Sequence, residues 1–379
     1  MTNAKQTAEV AASSSDAAIL ASQIGDGWRP APLARLGRQF ARNAVRDLPP
    51  AYFSFVMATG IVSIASHLVG FEYISYALFE LNVVSILILW SLNIVRATLY
   101  RECFLADLRR HAISPGFFTM VAGTCVFGVQ LVMIAHAPII AGWLWLFAVL
   151  LWALITYAVF AALILSCAKP TLRQGLNGLW LISVVATQSI AVLGAFVAPA
   201  FSANREIVLF VSLSFFMIGC MLYVVIIAII FFRLLFVGLK PLEMTPPYWI
   251  AMGATAITTQ AGAALLTHAD GSQVLADMAP FLRGFTLFFW SAGSWWIPLL
   301  IVLTVWAYGV RRAPMRYSPQ FWGMVFPIGM YTACTFQLAA ATGYDFLFII
   351  PRHTIHVALV VWLLSFLGLL RQIVRGVLP

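Results

Sequence analysis

The sequence predicts an all-α integral membrane protein with ten transmembrane helices, arranged as five helical hairpins in quasi-fivefold order around a central pore. Hydrophobic residues make up 62% of the 379 residues and charged residues only 9%, a composition typical of polytopic membrane proteins. Ten stretches are apolar over about 20 residues, which is the length that crosses a bilayer as a helix. A short aromatic motif also recurs five times, and this repeat predicts the hairpins.

The recurring motif places a proline or glycine a few residues before one or two aromatic residues, at the start of an uncharged apolar stretch. Its five copies lie at 49–53, 114–118, 177–180, 245–249 and 318–322. The last aromatic residues of successive copies are 62 to 73 residues apart, and each interval holds two membrane-length segments. Repetition at a nearly fixed period indicates one supersecondary unit used several times. Here that unit is a helical hairpin.

The predicted spans alternate in composition along the chain. They lie near 50–70, 73–97, 116–136, 139–166, 178–200, 206–232, 248–268, 282–310, 319–341 and 346–370. The odd-numbered spans contain no Asp, Glu, Lys or Arg and are rich in small and hydroxylated residues, whereas the even-numbered spans are bulkier. Small and hydroxylated side chains favour close helix packing or a watery surface, and bulky apolar ones favour lipid contact. We therefore predict an inner ring of odd-numbered spans.

The inner ring supplies the candidate pore wall. The candidate residues are small or carry a neutral hydrogen-bonding group: Thr59, Gly60, Ser63, Gly123, Thr124, Thr187, Gln188, Gly194, Thr258, Thr259, Gln260, Thr332 and Thr335. Such groups hold a solute weakly and repeatedly, which suits rapid passage better than one charged trap. The alternative interpretation is that each of them serves only helix packing.

The charge distribution predicts the orientation. With both termini in the cytoplasm, 19 of the 22 Lys and Arg residues face inward, and only Arg205, Arg283 and Arg352 face outward. This agrees with the positive-inside rule and indicates a plasma membrane or bacterial inner membrane. The net charge of +9 therefore reflects topology, and the expected partner is the lipid bilayer rather than a nucleic acid. All five inner helices then begin at the cytoplasmic face, where their positive dipole ends attract anions.

Three regions are expected along the chain. Residues 1–48 form a cytoplasmic N-terminal tail that is partly disordered and is basic near 28–46. That basic stretch fits either an amphipathic surface helix or an unstructured flank. Residues 49–372 form the ten-helix membrane pore domain, and residues 373–379 form a cytoplasmic C-terminus.

The ninth span carries a proline within its apolar run. Pro327 removes one backbone hydrogen bond and permits a kink, and Phe326 precedes it. A bulky ring beside a kink is able to close a narrow path. The alternative is that Phe326 is simply one packed aromatic among 29 phenylalanines.

Histidines mark the opposite end of the inner spans. His67, His136 and His268 lie near the outer ends, where they form either a protonatable vestibule that draws anions at acid pH or interfacial groups that reach toward lipid headgroups. The five cysteines show no paired spacing, so we expect no disulfide, metal site or cofactor.

Two segments resemble the tellurite-resistance/dicarboxylate-transporter family. They are the run Phe-Val-Met-Ala-Thr-Gly-Ile-Val-Ser at 55–63 and the aromatic-Trp-x-x-x-Phe-Pro run at 321–327. The family includes plant slow-type anion channels, bacterial tellurite-resistance permeases, fungal malate permeases and fungal sulfite exporters. The resemblance covers about 48–372 and implies a pore through each protomer, a homotrimer, and a gating phenylalanine that the motif places at Phe326. The sequence departs from the family in having an internal proline near the middle of only one inner span.

The resulting functional expectation is transmembrane anion transport. The favoured form is a channel-like passive pathway for small anions of the chloride or nitrate type, or for C4-dicarboxylates, gated by Phe326. The alternative is a proton-coupled secondary transporter, acting as a sulfite, malate or tellurite-resistance permease, although the inner spans lack the ionisable relays that such coupling uses. No convergent catalytic set is present, so we do not expect an enzyme.

Overall fold

The computed structural model of the protein describes residues 45–314 and 317–377. Over these residues the chain is helical and forms no strand. The predicted basic stretch near 28–46 lies outside the described residues, except for its last two positions, and so does most of the N-terminal tail. Residues 378 and 379 of the predicted C-terminal region also lie outside them.

The described residues contain a succession of long α-helices. Their bounds are α1 Ser54–Leu68, α2 Glu72–Leu99, α3 Phe118–Met133, α4 Pro138–Ile164, α5 Ile182–Val197, α6 Arg205–Phe236, α7 Ile250–Thr267, α8 Gln273–Thr304, α9 Trp322–Thr342 and α10 Ile349–Val377. Shorter helices at Arg101–Leu108 and Leu172–Gly175 follow α2 and α4, and a π-helical turn at Val305–Val310 extends α8.

Within the described ranges, nine uninterrupted helical segments are long and apolar enough to cross a membrane. One of them, Gly178–Phe236, is 59 residues long because short 3₁₀ turns join α5 to α6 without a gap. Phe201 in this joint has a non-helical backbone, with φ −99° and ψ 45°. The axis of the segment therefore breaks between α5 and α6.

Each copy of the aromatic motif forms a 3₁₀ turn that leads directly into an odd-numbered helix. The turns are Pro50–Phe53, Ser114–Phe117, Gly178–Leu181, Pro246–Trp249 and Pro319–Phe321. Proline suits four of these starts because it lacks an N–H and its φ angle is already helical. At the remaining turn the Asn177 side chain accepts a hydrogen bond from the Leu179 N–H, at 2.9 Å.

The odd-numbered helices pack side by side in a closed circuit. Helix α1 contacts α3, α3 contacts α5, α5 contacts α7, α7 contacts α9, and α9 returns to α1. The five 3₁₀ turns make the same circuit of contacts at one end of the bundle. Every residue of 54–66 in α1 and of 250–265 in α7 is buried.

The even-numbered helices cover this inner bundle. Each contacts its hairpin partner and also reaches the next odd-numbered helix of the circuit. Their outward faces expose large apolar side chains, among them Leu87, Trp143, Phe232, Val302 and Leu364. A contiguous apolar surface of this kind fits contact with lipid. The expected contrast between buried odd-numbered and exposed even-numbered helices is thus present.

The start of α8 differs from the prediction. The helix begins at Gln273 rather than near 282, because the Ser272 hydroxyl caps its first turn by accepting a hydrogen bond from the Leu275 N–H at 3.4 Å. The charged residues Asp277 and Arg283 interrupt the apolar run, but both are exposed and therefore do not interrupt the helix. Helix α10 likewise continues beyond 370, to Val377.

Candidate functional site

A small cavity lies where all five odd-numbered helices meet. Its volume is about 20 Å³, which is close to the space that one water molecule needs. The lining consists of Ile61 and Ile64 from α1, Cys125, Val126 and Val129 from α3, Ser189 and Val192 from α5, Ile257 and Gln260 from α7, and Met330 from α9. The cavity at the centre of the bundle, which we call the axial cavity, is therefore narrow and mostly aliphatic.

Phe326 is on α9 and is not among the residues that line the axial cavity. It precedes Met330 by four residues, so the two side chains lie on the same helix face, one turn apart. The Phe326 ring is 1% exposed and is nearer than Met330 to the 3₁₀ turn that starts α9. The ring thus occupies the level between the axial cavity and the 3₁₀ turns.

Pro327 packs against the neighbouring inner helix. It lies inside α9, and a Cβ atom placed on Gly253 of α7 would come within 2.8 Å of its Cγ atom. The missing side chain at Gly253 therefore lets α7 approach the proline turn of α9. This contact holds the backbone that carries Phe326.

Gln260 is the one residue of the predicted pore wall that lines the axial cavity. Three of the predicted threonines instead accept hydrogen bonds from tryptophans of the outer helices. The Trp362 indole N–H donates to Thr59 Oγ1 at 3.1 Å, that of Trp152 to Thr187 Oγ1 at 2.8 Å, and that of Trp290 to Thr335 Oγ1 at 3.0 Å. Buried indole N–H groups need such acceptors, so these threonines attach outer helices to inner ones.

The other predicted hydroxyl groups are also engaged away from the axial cavity. The Ser63 hydroxyl donates to the Ser75 carbonyl of α2 at 2.8 Å, and the Thr332 hydroxyl donates to Thr354 Oγ1 of α10 at 2.8 Å. The remaining threonines donate to carbonyls one turn back in their own helices: Thr124, Thr258 and Thr259. All of these hydroxyls are buried.

The predicted glycines and Gln188 lie at close contacts between helices. A Cβ atom on Gly60 would come within 2.9 Å of Asn82 Nδ2, one on Gly123 within 3.3 Å of the Phe53 ring, and one on Gly194 would overlap the Ser212 hydroxyl of α6. The Gln188 amide donates to the Phe216 carbonyl of α6 at 3.1 Å. These positions determine how closely the helices approach.

Two of the three predicted vestibule histidines, His67 and His268, have separate local partners. His67 Nδ1 lies 2.9 Å from a Glu72 carboxylate oxygen, and His268 Nδ1 lies 2.8 Å from the Ala264 carbonyl. His136 has a positive φ of 52° in the loop between α3 and α4. No hydrogen bond or ion pair in the described part of the chain joins one of these histidines to another.

A larger cavity of about 550 Å³ lies beside the 3₁₀ turns, and we call it the basal cavity. Several turn residues line it, among them Pro50, Ala51, Leu179, Pro319 and Gln320. Three arginines and two aspartates complete its charged lining: Arg46, Arg96, Arg110, Asp47 and Asp107. The charged groups carry a net positive charge, and the helix starts add partial positive charge at the same end.

The sequence did not reveal the ion pairs of the basal cavity. The buried Arg96 guanidinium contacts the Asp107 carboxylate at 2.6 Å and donates to the Arg46 carbonyl at 3.1 Å. Arg110 approaches the other Asp107 oxygen at 3.5 Å. The available signal was the presence of Glu102 and Asp107 in the otherwise basic segment 96–110, since a carboxylate among arginines suggests a specific partner.

A second ion cluster connects the loops at the same end of the bundle. Arg173 holds the Glu243 carboxylate through two nitrogens, at 2.7 and 2.8 Å, and the buried Arg233 lies 3.6 Å from its other oxygen. The hydrogen bond from Arg173 holds the pKa of Glu243 below its ordinary value, and the nearby positive charges act in the same direction. Glu243 therefore stabilises the fold in its ionised form.

This pKa shift predicts a loss of stability in acid. Because the folded pKa lies below the ordinary 4.5, the contribution of Glu243 is complete above about 4.5 and disappears as the pH falls through the lower folded value. We expect the melting temperature of the purified protein to fall more steeply from pH 6 to pH 3 than that of Glu243→Gln. Parallel pH profiles for the two proteins would contradict this role of Glu243.

The helices and their lipid-compatible surface define a polytopic α-helical membrane protein. A protein-family model described as voltage-dependent anion channel (SLAC1) matches residues 47–370. The match spans the described bundle from before the first 3₁₀ turn into α10. The chain therefore belongs to the voltage-dependent anion channel family.

Individual relatives agree with this assignment. An uncharacterized membrane protein of Mycobacterium tuberculosis is 38% identical over 152 residues, which are 40% of this chain and 77% of the relative. An uncharacterized transporter of Methanocaldococcus jannaschii is 22% identical over 341 residues, covering 88% of this chain and 97% of the relative. A sulfite efflux pump of Trichophyton rubrum is 24% identical over 348 residues, covering 85% and 90%. The family and these relatives place the chain among membrane proteins that transport anions.

Proposed function

We propose that the protein is a passive, channel-like pathway for small anions, running along the axis of the five odd-numbered helices. The observation that carries this proposal is the axial cavity, because each of the five helices contributes to its lining. In this proposal α5 and α6 each cross the membrane, which gives ten crossings in five quasi-equivalent hairpins. The closed circuit of contacts among the odd-numbered helices supports that arrangement.

The surroundings of the pathway favour anions over cations. The axial cavity is lined by neutral side chains, so it offers a cation no carboxylate, and the basal cavity carries excess positive charge. A volume of about 20 Å³ fits one small ion at a time. We therefore favour inorganic anions of the chloride or nitrate type over C4-dicarboxylates, which need a much wider passage.

We assign Phe326 as the gate and Pro327 as its hinge. The almost fully buried ring lies one helical turn before Met330, which lines the axial cavity, and the proposal places it in the path of an ion that travels along the axis. A hydrophobic constriction of this kind stops ions by excluding water. The contact of Pro327 with Gly253 supports the hinge, because a shift of α7 against α9 would move the ring.

The orientation and assembly complete the proposal. Both termini lie in the cytoplasm, so the basal cavity is the inner mouth and its arginines collect anions there. Three copies form a homotrimer in which each protomer has its own pathway. The predicted threonines and glycines act on the pathway indirectly, by fixing the positions of the helices that carry its lining.

A proton-coupled secondary transporter is the second candidate. The name of the fungal relative, a sulfite efflux pump, favours it. Coupling to protons normally requires an ionisable group on the pathway, and among the described lining residues of the axial cavity none is an Asp, Glu, His, Lys or Arg. This absence makes the passive pathway the better supported of the two.

Flux measurements on purified protein in liposomes distinguish the two candidates. We expect reversal potentials that follow the gradients of chloride and nitrate, with sulfite less permeant, malate the least permeant and potassium excluded. These currents should persist when the pH is equal on both sides. Flux that requires a pH gradient and saturates with substrate would instead establish the coupled transporter, and protein-free liposomes provide the baseline.

A further inference from the structure

The axial cavity contains one side-chain amide with a free hydrogen-bonding group. Ser189 is the other lining residue with a polar oxygen, and its hydroxyl already donates to the Val185 carbonyl at 2.7 Å. Gln260 is 3% exposed, and its Oε1 atom is buried without a hydrogen-bond partner among the described residues. Among the described lining residues of the axial cavity, Gln260 therefore carries the one side-chain oxygen or nitrogen found without a hydrogen-bond partner.

Two other glutamines of the inner helices, Gln130 and Gln188, are held differently. Gln130 on α3 accepts a hydrogen bond from Asn82 Nδ2 of α2 at 2.6 Å, and Gln188 on α5 donates to the Phe216 carbonyl of α6. Both amides therefore connect an inner helix to an outer one, and neither lines the axial cavity. Each of them also has one buried amide atom without a partner among the described residues, Gln130 Nε2 and Gln188 Oε1. Gln260 differs because its unpartnered amide lines the axial cavity, and a buried polar group without a partner destabilises a protein unless a ligand satisfies it.

We propose that the Gln260 carboxamide donates a hydrogen bond to the permeating anion in the axial cavity and thereby determines which solutes cross it. This inference rests on the proposed anion pathway. An anion that enters the aliphatic lining loses most of its hydration, and one N–H donor replaces part of it. Rotation of the terminal amide presents either Nε2 or Oε1 to the cavity. An anion favours the orientation that presents Nε2, because Nε2 carries the N–H donors.

The neutrality of the amide explains why it suits conduction. A lysine or arginine at this depth would hold an anion by its full charge in a medium of low polarity. An amide gives a single uncharged hydrogen bond, which is strong enough to offset part of the dehydration and weak enough to release the ion. The ligand class is therefore a small anion that accepts one hydrogen bond, such as chloride or nitrate.

The test uses the isosteric change Gln260→Glu in the Phe326→Ala background, where we expect the largest currents. At pH 7.5 the carboxylate removes the donor and repels anions, so we expect the chloride current to fall by at least about tenfold. Lowering the pH should restore part of it as the carboxyl group becomes protonated. In Gln260→Leu, which removes the donor without adding charge, we expect a fall of about fivefold, the value of one typical hydrogen bond.

Gln130→Glu is the matched control. It introduces the same charge on an inner helix, retains an acceptor for the Asn82 amide and lies outside the axial cavity, so its current should equal that of the background. Unchanged currents in the Gln260 variants, or equal losses in Gln260→Glu and Gln130→Glu, would overturn the inference and leave the proposed pathway standing. A Phe326→Ala background that carries no anion current would overturn the proposed pathway and the inference with it.

Discussion

Replacing Phe326 with alanine is expected to raise the chloride conductance of the purified protein by at least about tenfold, which corresponds to a barrier lower by about 1.4 kcal/mol. The ring is 1% exposed and lies one helical turn from Met330, which lines the axial cavity. Its removal is expected to widen the path from that cavity toward the 3₁₀ turns and to allow water to enter. Recordings of single channels and of total current in planar bilayers measure the change.

Phe289→Ala controls for the loss of a buried aromatic ring. Phe289 is fully buried on α8 and packs against Tyr223 and Phe285, so the substitution creates a comparable cavity away from the axis. We expect this variant to conduct like the wild type, although both variants lose stability. If Phe326→Ala remains folded and its conductance is unchanged, or if Phe289→Ala conducts equally well, Phe326 is not the gate.

The helices were predictable because their signals are local. A proline or glycine followed by aromatics marked all five 3₁₀ turns, and the uncharged stretches after them became the buried helices α1, α3, α5, α7 and α9. The start of α8 was misplaced because the exposed charge of Asp277 interrupted the apolar run before residue 282. The cap at Ser272 is also a local signal, but a hydropathy window does not register it.

The lining of the axial cavity was less predictable. Hydroxyl groups were natural candidates for a polar wall, yet Thr59, Thr187 and Thr335 accept hydrogen bonds from tryptophans that are distant in sequence. The lining itself is largely aliphatic, with residues such as Ile61 and Ile257. Composition does not distinguish an isoleucine that faces a lumen from one that faces a neighbouring helix. That distinction depends on the rotation of each helix, which long-range packing determines.

The second large effect is expected from Gly178→Ala, at the start of the 3₁₀ turn before α5. A Cβ atom on Gly178 would overlap the Pro247 carbonyl and come within 2.6 Å of the Tyr248 backbone nitrogen, in the turn before α7. Backbone atoms cannot rotate away as a side chain can, so the two turns have to separate. We expect the substitution to lower the free energy of unfolding by about 3 kcal/mol, the upper part of the usual range for overpacking.

Gly323→Ala, at the start of α9, is the matched control. There the nearest atoms to an added Cβ are Ile250 Cδ1 and Pro247 Cα, both at 3.5 Å, which is an ordinary van der Waals contact. The stability of Gly323→Ala should therefore remain within about 0.5 kcal/mol of the wild type. Unfolding by titration with SDS in mixed micelles compares the two variants.

The circuit of 3₁₀ turns requires close backbone contact at Gly178 in particular, because this glycine joins the turns of α5 and α7 at the proposed inner mouth. Equal stability of the two variants would show that these turns do not depend on that contact, and the mouth would then be free to widen there without loss of the fold.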